Sequence, residues 1–167
     1  MSFSVRRIVT GHDAQGRSMI VDSSETCSAP GKLQPSVSVA NFWVNETMPP
    51  TIDGADPLKG DFPVLPKNGG AVFRMLELAP GTEPFMHATQ TIDYVVVTAG
   101  ELTMILDDGA EIVLKERDVM IQRATMHGWA NRGAVPCRFA TVVIDATQDE
   151  DSVAAAIWAV AARRFGL

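Results

Sequence analysis

Two histidines and one aspartate in the second half of the chain have residue types that bind metal ions and move protons. His87, Thr89, Thr91 and Asp93 stand two positions apart, and alternate residues of a β-strand point to the same face. His127 lies on a second β-type segment, so closure of the strands into a barrel would bring His87, Asp93 and His127 together. Two imidazoles and a carboxylate with open positions suit non-haem Fe(II), and Zn or Mn could also use them. The sequence therefore predicts a divalent transition metal held by these three residues.

The same residues also allow chemistry without a metal. A buried carboxylate without a partner is costly, so Asp93 needs a metal, a hydrogen-bond partner or a bound proton. In the last case Asp93 would be a catalytic general acid or base. Both histidines could instead be ordinary residues whose hydrogen bonds are satisfied. Gln122 could orient a substrate or lie on the surface of a strand, and Trp129 could line a cavity or fill the core.

The segments that must position these residues are short, β-type and separated by turn residues. Residues 5–10 and 17–22 flank a turn and are expected to form a hairpin. Residues 37–45 alternate as a half-buried strand does, and the Pro- and Gly-rich segment 47–70 is expected to be a long loop that covers a neighbouring surface. Further strands are predicted at 71–78, 85–91, 93–98, 101–106, 111–114, 119–122, 127–131 and 137–144. Many short antiparallel strands at this spacing are typical of a sandwich or barrel.

The end of the chain has a different pattern. Residues 147–150 read Thr-Gln-Asp-Glu, which has the spacing of an N-terminal capping box. One apolar helical face would then contain Ala154, Ile157, Trp158, Ala161 and Phe165. The sequence predicts one amphipathic helix over 147–166, packed on the β-structure or on a second subunit.

Composition and charge exclude several classes of protein. The chain has 167 residues, 46% of them hydrophobic, which is enough for one domain with a core. Its net charge is −6 and its adjacent basic pairs are Arg6–Arg7 and Arg163–Arg164, so nucleic acid is not an expected partner. The longest apolar run, 153–162, is far shorter than the about 20 residues that a membrane helix needs. Cys27 and Cys137 form no CxxC motif and are expected to be free thiols of a cytoplasmic protein.

The segment from Gly81 to Gly100 resembles motif one of the cupin superfamily, G-x5-H-x-H-x3-E-x6-G. The spacing is kept throughout, with His87 at the first histidine, Thr89 at the second and Asp93 at the glutamate. A full cupin site offers three histidines and one glutamate, so the resemblance implies that a metal here would have fewer ligands. Threonine is a poor metal ligand, and Thr89 is a candidate for contacting substrate instead.

Residues 116–131 resemble motif two of the same superfamily, G-x5-P-x-G-x2-H-x3-N. His127 and Asn131 match this motif in type and spacing. The Gly, Pro and Gly of the motif are replaced by Glu116, Gln122 and Ala124. The two matches together resemble a group of single-domain cupins that have no firmly assigned activity.

The resemblance covers roughly residues 71–145 and implies an all-β cupin or RmlC-like jelly-roll barrel with its site in the barrel mouth. We expect a single domain over 1–167, in which 1–70 supply N-terminal strands and a long loop and 147–166 add one C-terminal helix. Cupins are usually dimeric, and the N-terminal strands and segment 47–70 are expected to pair across a two-fold homodimer interface.

Two hypotheses of function follow. The first is a metal-dependent enzyme that acts on a small organic acid or aromatic molecule by oxygenation, decarboxylation or isomerisation, with one ion held by His87, Asp93 and His127. The second is a metal-free cupin that binds a small ligand, as a sensor does, or performs acid–base chemistry through Asp93 and a histidine. Fold alone does not separate them, because activity depends on the site that the fold carries.

Overall fold

A computed structural model describes residues 2–32, 34–52, 54–59 and 65–147 of the protein, together with Trp158 and Arg163. Over these residues the chain forms β-strands and a short 3-10 turn at Pro57–Lys59. The strands are β1 (Ser4–His12), β2 (Ser18–Cys27), β3 (Ala29–Pro30), β4 (Val37–Thr47), β5 (Gly69–Leu78), β6 (Thr91–Ala99), β7 (Glu101–Leu106), β8 (Glu111–Lys115), β9 (Val119–Arg123), β10 (His127–Ala130) and β11 (Cys137–Asp145).

Two antiparallel sheets face each other across one hydrophobic core. The larger sheet has the order β3-β4-β5-β11-β6-β9 and the smaller sheet the order β10-β7-β8. Inward side chains of both sheets form the core, among them Leu78, Val97, Leu102, Leu114 and Phe139. This arrangement confirms the predicted all-β barrel. Apart from the segment 85–91, each predicted strand has a counterpart whose bounds differ by a few residues.

The N-terminal hairpin of β1 and β2 packs on the outer face of the larger sheet. A second apolar cluster forms there from Phe3, Val5, Ala40, Phe42 and Met75. Arg7 on β1 donates to Asp22 at 2.9 Å and also to Asp56 in the long loop. These contacts hold the pKa of both carboxyls below the usual range. One face of the hairpin thus packs against its own chain. The pairing of the hairpin across a homodimer interface stays a prediction.

The predicted strand over 85–91 is wrong. The described residues 79–90 form no strand, and their contact with β10 includes an isolated bridge between His87 and His127. The segment connects β5 to β6 of the larger sheet and runs beside β10 of the smaller sheet on the way, and Pro84 lacks the backbone N–H that a ladder requires. His87 and Asp93 consequently do not share one strand, as the alternation of residue types had predicted.

The amphipathic helix predicted over 147–166 falls outside the described residues, apart from Thr147, Trp158 and Arg163. It therefore stays a prediction. Within the part of the chain that the structure describes, no helix is long and apolar enough to cross a membrane.

Both cysteines are free thiols, as the sequence predicted. Cys27 is exposed on the hairpin, whereas Cys137 is fully buried in the core. Burial raises the pKa of the Cys137 thiol to about 12. Because the thiolate is the reactive form, Cys137 serves packing and no chemistry near neutral pH.

One buried side chain, Asn131, joins the end of β10 to β5. Its Nδ2 donates to the carbonyl oxygens of Leu78 and Val135, each at 2.9 Å, and its Oδ1 accepts from the Gly133 N–H at 2.9 Å. The residue is 1% exposed, so water does not replace these bonds. The asparagine of motif two therefore has a structural role in this chain.

Replacing this asparagine should destabilise the barrel. Asn131→Ala leaves two buried carbonyl oxygens without their donors, and each such loss costs about 1–3 kcal/mol. We expect the free energy of unfolding, measured by urea titration, to fall by about 2 kcal/mol or more. Gln90→Ala, at an exposed amide side chain, is the control and should change it by less than about 0.5 kcal/mol. Equal stability of both variants would contradict the role of Asn131.

Candidate functional site

The inner face of the barrel is apolar except for a polar band part of the way along the strands. At one end the inward side chains of β5, β6 and β11 are apolar, namely Leu78, Val97 and Phe139. Further along, Arg74 on β5 lies directly opposite Thr141 on β11, and Asp93 on β6 lies opposite Gln122 on β9. Directly opposite residues on neighbouring strands share a face. These four side chains, Arg74, Asp93, Gln122 and Thr141, are called the polar layer below.

Three buried oxygen atoms of the polar layer have no hydrogen-bond partner within the described residues. They are Asp93 Oδ1, Gln122 Oε1 and Thr141 Oγ1. Buried polar atoms are nearly always bonded in folded proteins, and each one left unbonded costs about 1–3 kcal/mol. Three of them in one layer mark a place where a bound molecule or water would complete the bonding.

Arg74 brings a positive charge into this layer. Burial lowers the pKa of its guanidinium, and the nearby negative charge of Asp93 opposes that shift. Arginine side chains nevertheless stay protonated in proteins. The polar layer therefore holds one positive and one negative side chain before anything binds.

The backbones of His87 and His127 are joined by a pair of hydrogen bonds. The N–H of each residue donates to the carbonyl of the other at 2.9 Å, and the two ring centroids are 4.5 Å apart. Gly128 permits this close approach, because a Cβ atom there would lie 2.7 Å from Met86 Sδ and 2.9 Å from Pro84 Cβ. The pairing places a half-buried His87 ring beside the His127 ring, whose residue is 1% exposed.

Backbone carbonyls determine which ring nitrogen carries the proton. His87 Nδ1 lies 2.9 Å from the Phe85 oxygen, and His127 Nδ1 lies 2.9 Å from the Thr125 oxygen. Since a carbonyl only accepts, Nδ1 of each neutral ring is the donor and Nε2 keeps its lone pair. The Gln122 amide nitrogen lies 3.1 Å from His127 Nδ1, but its acceptor is the Thr125 oxygen at 3.0 Å. Gln122 Oε1 is thus the unbonded end of its amide.

The surroundings of His127 favour the neutral ring. Burial lowers its pKa most strongly, and the adjacent His87 lowers it further. The bond to the Thr125 carbonyl and the charge of Asp93 raise the pKa and oppose these effects. A neutral imidazole with a lone pair on Nε2 can accept a proton or bind a metal ion.

A row of aromatic and imidazole rings borders the polar layer and is called the ring row below. Its successive ring centroids are 5.6, 5.2, 4.5 and 5.7 Å apart in the order Phe139, Trp129, His127, His87 and Phe85. The row begins in the core, where Phe139 is 2% exposed, and ends at Phe85, which is 49% exposed. Trp129 therefore packs against the core and also borders the site.

The structure brings some of the predicted ligands together but does not assemble the set. His87 and His127 are in contact, and the charge of Asp93 acts on His127. In the described part of the chain, however, no three His, Cys, Asp or Glu side chains form a group able to hold a metal ion. The path of residues 79–90 explains this result, because His87 is oriented by its pairing with β10 and not by the strand that carries Asp93.

The remaining predicted site residues have clear positions. Thr89 Oγ1 lies 2.7 Å from Thr91 Oγ1, so the two hydroxyls bond to each other beside the start of β6. Gln122 is 2% exposed and belongs to the polar layer. The alternative that Gln122 is a surface residue is therefore wrong.

Arg74 and Thr141 were missed by the sequence argument. Each stands at an inward position of a strand, with apolar residues two positions before and after it. A charged or polar residue that interrupts such an apolar alternation is a detectable signal. The two motifs cover β6, β9 and β10, whereas Arg74 and Thr141 lie on β5 and β11, which neither motif includes.

A separate groove of about 990 Å³ lies between the hairpin and the larger sheet. Arg7, His12, Trp43 and Asp56 are among its lining residues, and neither the polar layer nor the histidine pair contributes to it. Its charged residue Arg7 already forms ion pairs with Asp22 and Asp56. The Arg7 charge is thus satisfied within the groove, whereas the polar layer has buried oxygen atoms without partners in the described residues, so the barrel interior is the better candidate site.

Comparison with known proteins identifies relatives of the chain. A family model described as "Cupin domain" matches residues 74–144, which include the polar layer and His127. The cupin-domain-containing oxidoreductase fogC of Aspergillus ruber is 34% identical over 149 residues, covering 84% of this chain and 72% of that protein. The cupin-domain-containing oxidoreductase virC of Hypocrea virens is 31% identical over 147 residues, covering 83% and 75%.

Among solved structures, an RmlC-like cupin from Shewanella frigidimarina matches with a TM-score of 0.47 and 14% identity, covering 74% of this chain and 87% of that one. The sequence relatives are above 30% identity over most of their length, and the family model falls on the strands that build the barrel. On this evidence the chain belongs to the cupin family.

Proposed function

We propose that the protein is an enzyme that binds a small organic molecule at the polar layer and moves protons on it without a metal. The observation that supports this most directly is the set of buried oxygen atoms of Asp93, Gln122 and Thr141 that lack partners among the described residues. Small-molecule sites combine apolar walls with a few placed polar groups. The ring row and the polar layer supply these two parts side by side.

His127 is the proton acceptor in this proposal. A proton of the bound molecule would move to His127 Nε2, and the electron pair of the broken bond would stay on the molecule. The negative charge formed there would lie in the layer that contains the Arg74 guanidinium, which stabilises it. Asp93 would accept a hydrogen bond through Oδ1 and serve as a second acid–base group. Return of the proton to another atom of the molecule completes an isomerisation.

A metal-dependent oxidoreductase is the second candidate. It is favoured by the Nε2 lone pairs of His87 and His127, and the relatives fogC and virC are named oxidoreductases. The two imidazoles would hold an Fe, Zn or Mn ion, which would supply Lewis-acid or redox chemistry. Asp93 does not form a ligand group with them, and the described residues offer no other His, Cys, Asp or Glu as a third ligand. This deficit is the reason for ranking the metal-free enzyme first.

Metal content separates the two candidates. Protein is produced with iron, zinc and manganese available, purified without chelator and measured by elemental analysis. We expect much less than one ion per chain, and no further decrease in His87→Ala or His127→Ala. About one ion per chain in the wild type that is lost in both variants, but kept in His12→Ala, would contradict the metal-free proposal and establish the second candidate.

Burial of His127 should also make the fold sensitive to mild acid. Because the pKa of His127 is lowered in the folded state, the unfolded chain takes up a proton at a pH where the folded chain does not. Stability is therefore complete above the ordinary imidazole pKa of about 6.5 and falls as the pH drops through it. We expect the wild type to lose more unfolding free energy between about pH 7.5 and 5.5 than His127→Asn does.

The exposed His12→Asn is the control for this measurement and should keep the pH dependence of the wild type. Urea unfolding at each pH gives the free energies. A wild type and a His127→Asn variant with the same pH dependence would show that burial of His127 does not affect proton uptake.

A further inference from the structure

The unbonded atoms of the polar layer indicate which hydrogen-bonding groups a bound molecule must carry. Asp93 Oδ1 and Gln122 Oε1 are hydrogen-bond acceptors, and neither has a partner in the described residues. A second acceptor facing these atoms would leave both sides unbonded. The complementary groups on a ligand are therefore hydrogen-bond donors.

The amide of Gln122 is not free to turn and present its nitrogen instead. Its Nε2 donates to the Thr125 carbonyl at 3.0 Å, in the turn between β9 and β10. Rotation of the amide would place two oxygen atoms against each other, at the cost of that bond. Gln122 thus acts as an acceptor towards the site, and Asp93 opposite it on β6 does the same.

The charge of the layer favours an uncharged ligand. Arg74 and Asp93 already balance each other in charge. A ligand carboxylate would add a second negative charge beside Asp93, and a ligand ammonium would add a second positive charge beside Arg74. Buried like charges are strongly unfavourable. The layer therefore accepts hydroxyl donors more readily than ionic groups.

The ring row determines the shape of the remaining wall. The His127 and Trp129 rings are 5.2 Å apart by their centroids, and the exposed Phe85 ring stands at the outer end of the row. Rings prefer offset-stacked or edge-to-face contacts with other rings. Such a wall favours contact with a planar aromatic ligand.

We infer that the site takes an uncharged hydroxylated aromatic molecule, of the phenol or resorcinol class, whose hydroxyl groups donate to Asp93 and Gln122. This inference rests on the proposed function and narrows its substrate class. The Arg74 guanidinium lies in the same layer and would stabilise the negative charge that forms on the oxygen when a phenolic proton leaves. Charge is conserved in that step, because the proton moves to the Asp93 carboxylate to which the hydroxyl donates, while the oxygen keeps the bonding electrons.

Binding of matched small probes tests the inference. Resorcinol, 1,3-dimethoxybenzene and benzoate are titrated into the full-length protein, and the NMR signals of the Trp129 indole N–H and the Gln122 side-chain amide are followed. We expect saturable shifts with resorcinol. The dimethoxy compound keeps the ring but lacks donors, and should bind at least about tenfold more weakly, as benzoate should.

Two variants assign the donors to their acceptors. Asp93→Asn removes the charged acceptor, and Gln122→Met removes the amide oxygen at similar volume. Each variant should therefore bind resorcinol about tenfold more weakly than the wild type. Asp107→Asn, in an exposed turn, is the matched control and should bind as the wild type does. A well-dispersed spectrum shows that each variant is folded. If one variant fails to fold, the other still tests the inference.

Benzoate binding more tightly than resorcinol, or the dimethoxy compound binding equally, would overturn the inference. Either result would leave the proposed function standing, because a ligand would still occupy the barrel. Failure of all three probes to move these signals would overturn the ligand class as well. The proposed function itself fails by a different result, namely a stoichiometric metal ion that depends on both histidines.

Discussion

The paired backbone hydrogen bonds between His87 and His127 are the contact on which the site depends. The segment that carries His87 is not a strand, and it connects β5 to β6 while running beside β10. Its pairing with β10 at 2.9 Å in both directions sets the position of the His87 ring. Gly128 makes room for this segment, since any side chain there would meet Met86 and Pro84. Without this contact the His87 ring would have no fixed position beside His127.

Burial of the polar layer lowers the stability of the fold, and the rest of the barrel must offset this loss. Burying Arg74, Asp93 and Gln122 removes charged and polar groups from water, which is unfavourable unless their bonds are completed. Apolar side chains at the other end of the barrel, such as Leu78 and Phe139, supply the hydrophobic burial that offsets this cost. A protein whose fold needed only a core would be more stable with apolar residues at these positions. The proposed ligand site would account for these polar residues, whereas stability alone would not.

Much of the fold could be predicted from the sequence. The period-two alternation of β4, β5 and β11 and the turn residues between strands predicted an antiparallel barrel, and motif spacing predicted that His87 and His127 would meet. The strand over 85–91 could not be predicted correctly, because the bridge that orients this segment involves a residue 40 positions away, His127. Alternation also shows which residues of one strand share a face, but not which strands face one another. Arg74 and Thr141 therefore escaped notice although they lie in the same layer as Asp93.

The protonation of the two imidazole rings tests this account most directly. Long-range proton–nitrogen correlation spectra of the histidine side chains are recorded well above the ordinary imidazole pKa of about 6.5. The account requires that both His87 and His127 carry the proton on Nδ1, bonded to the Phe85 and Thr125 carbonyls, with Nε2 unprotonated. A proton on Nε2 of His127, or rapid exchange between its two nitrogens, would contradict the account, because the lone pair assigned to proton transfer would then be absent from the site.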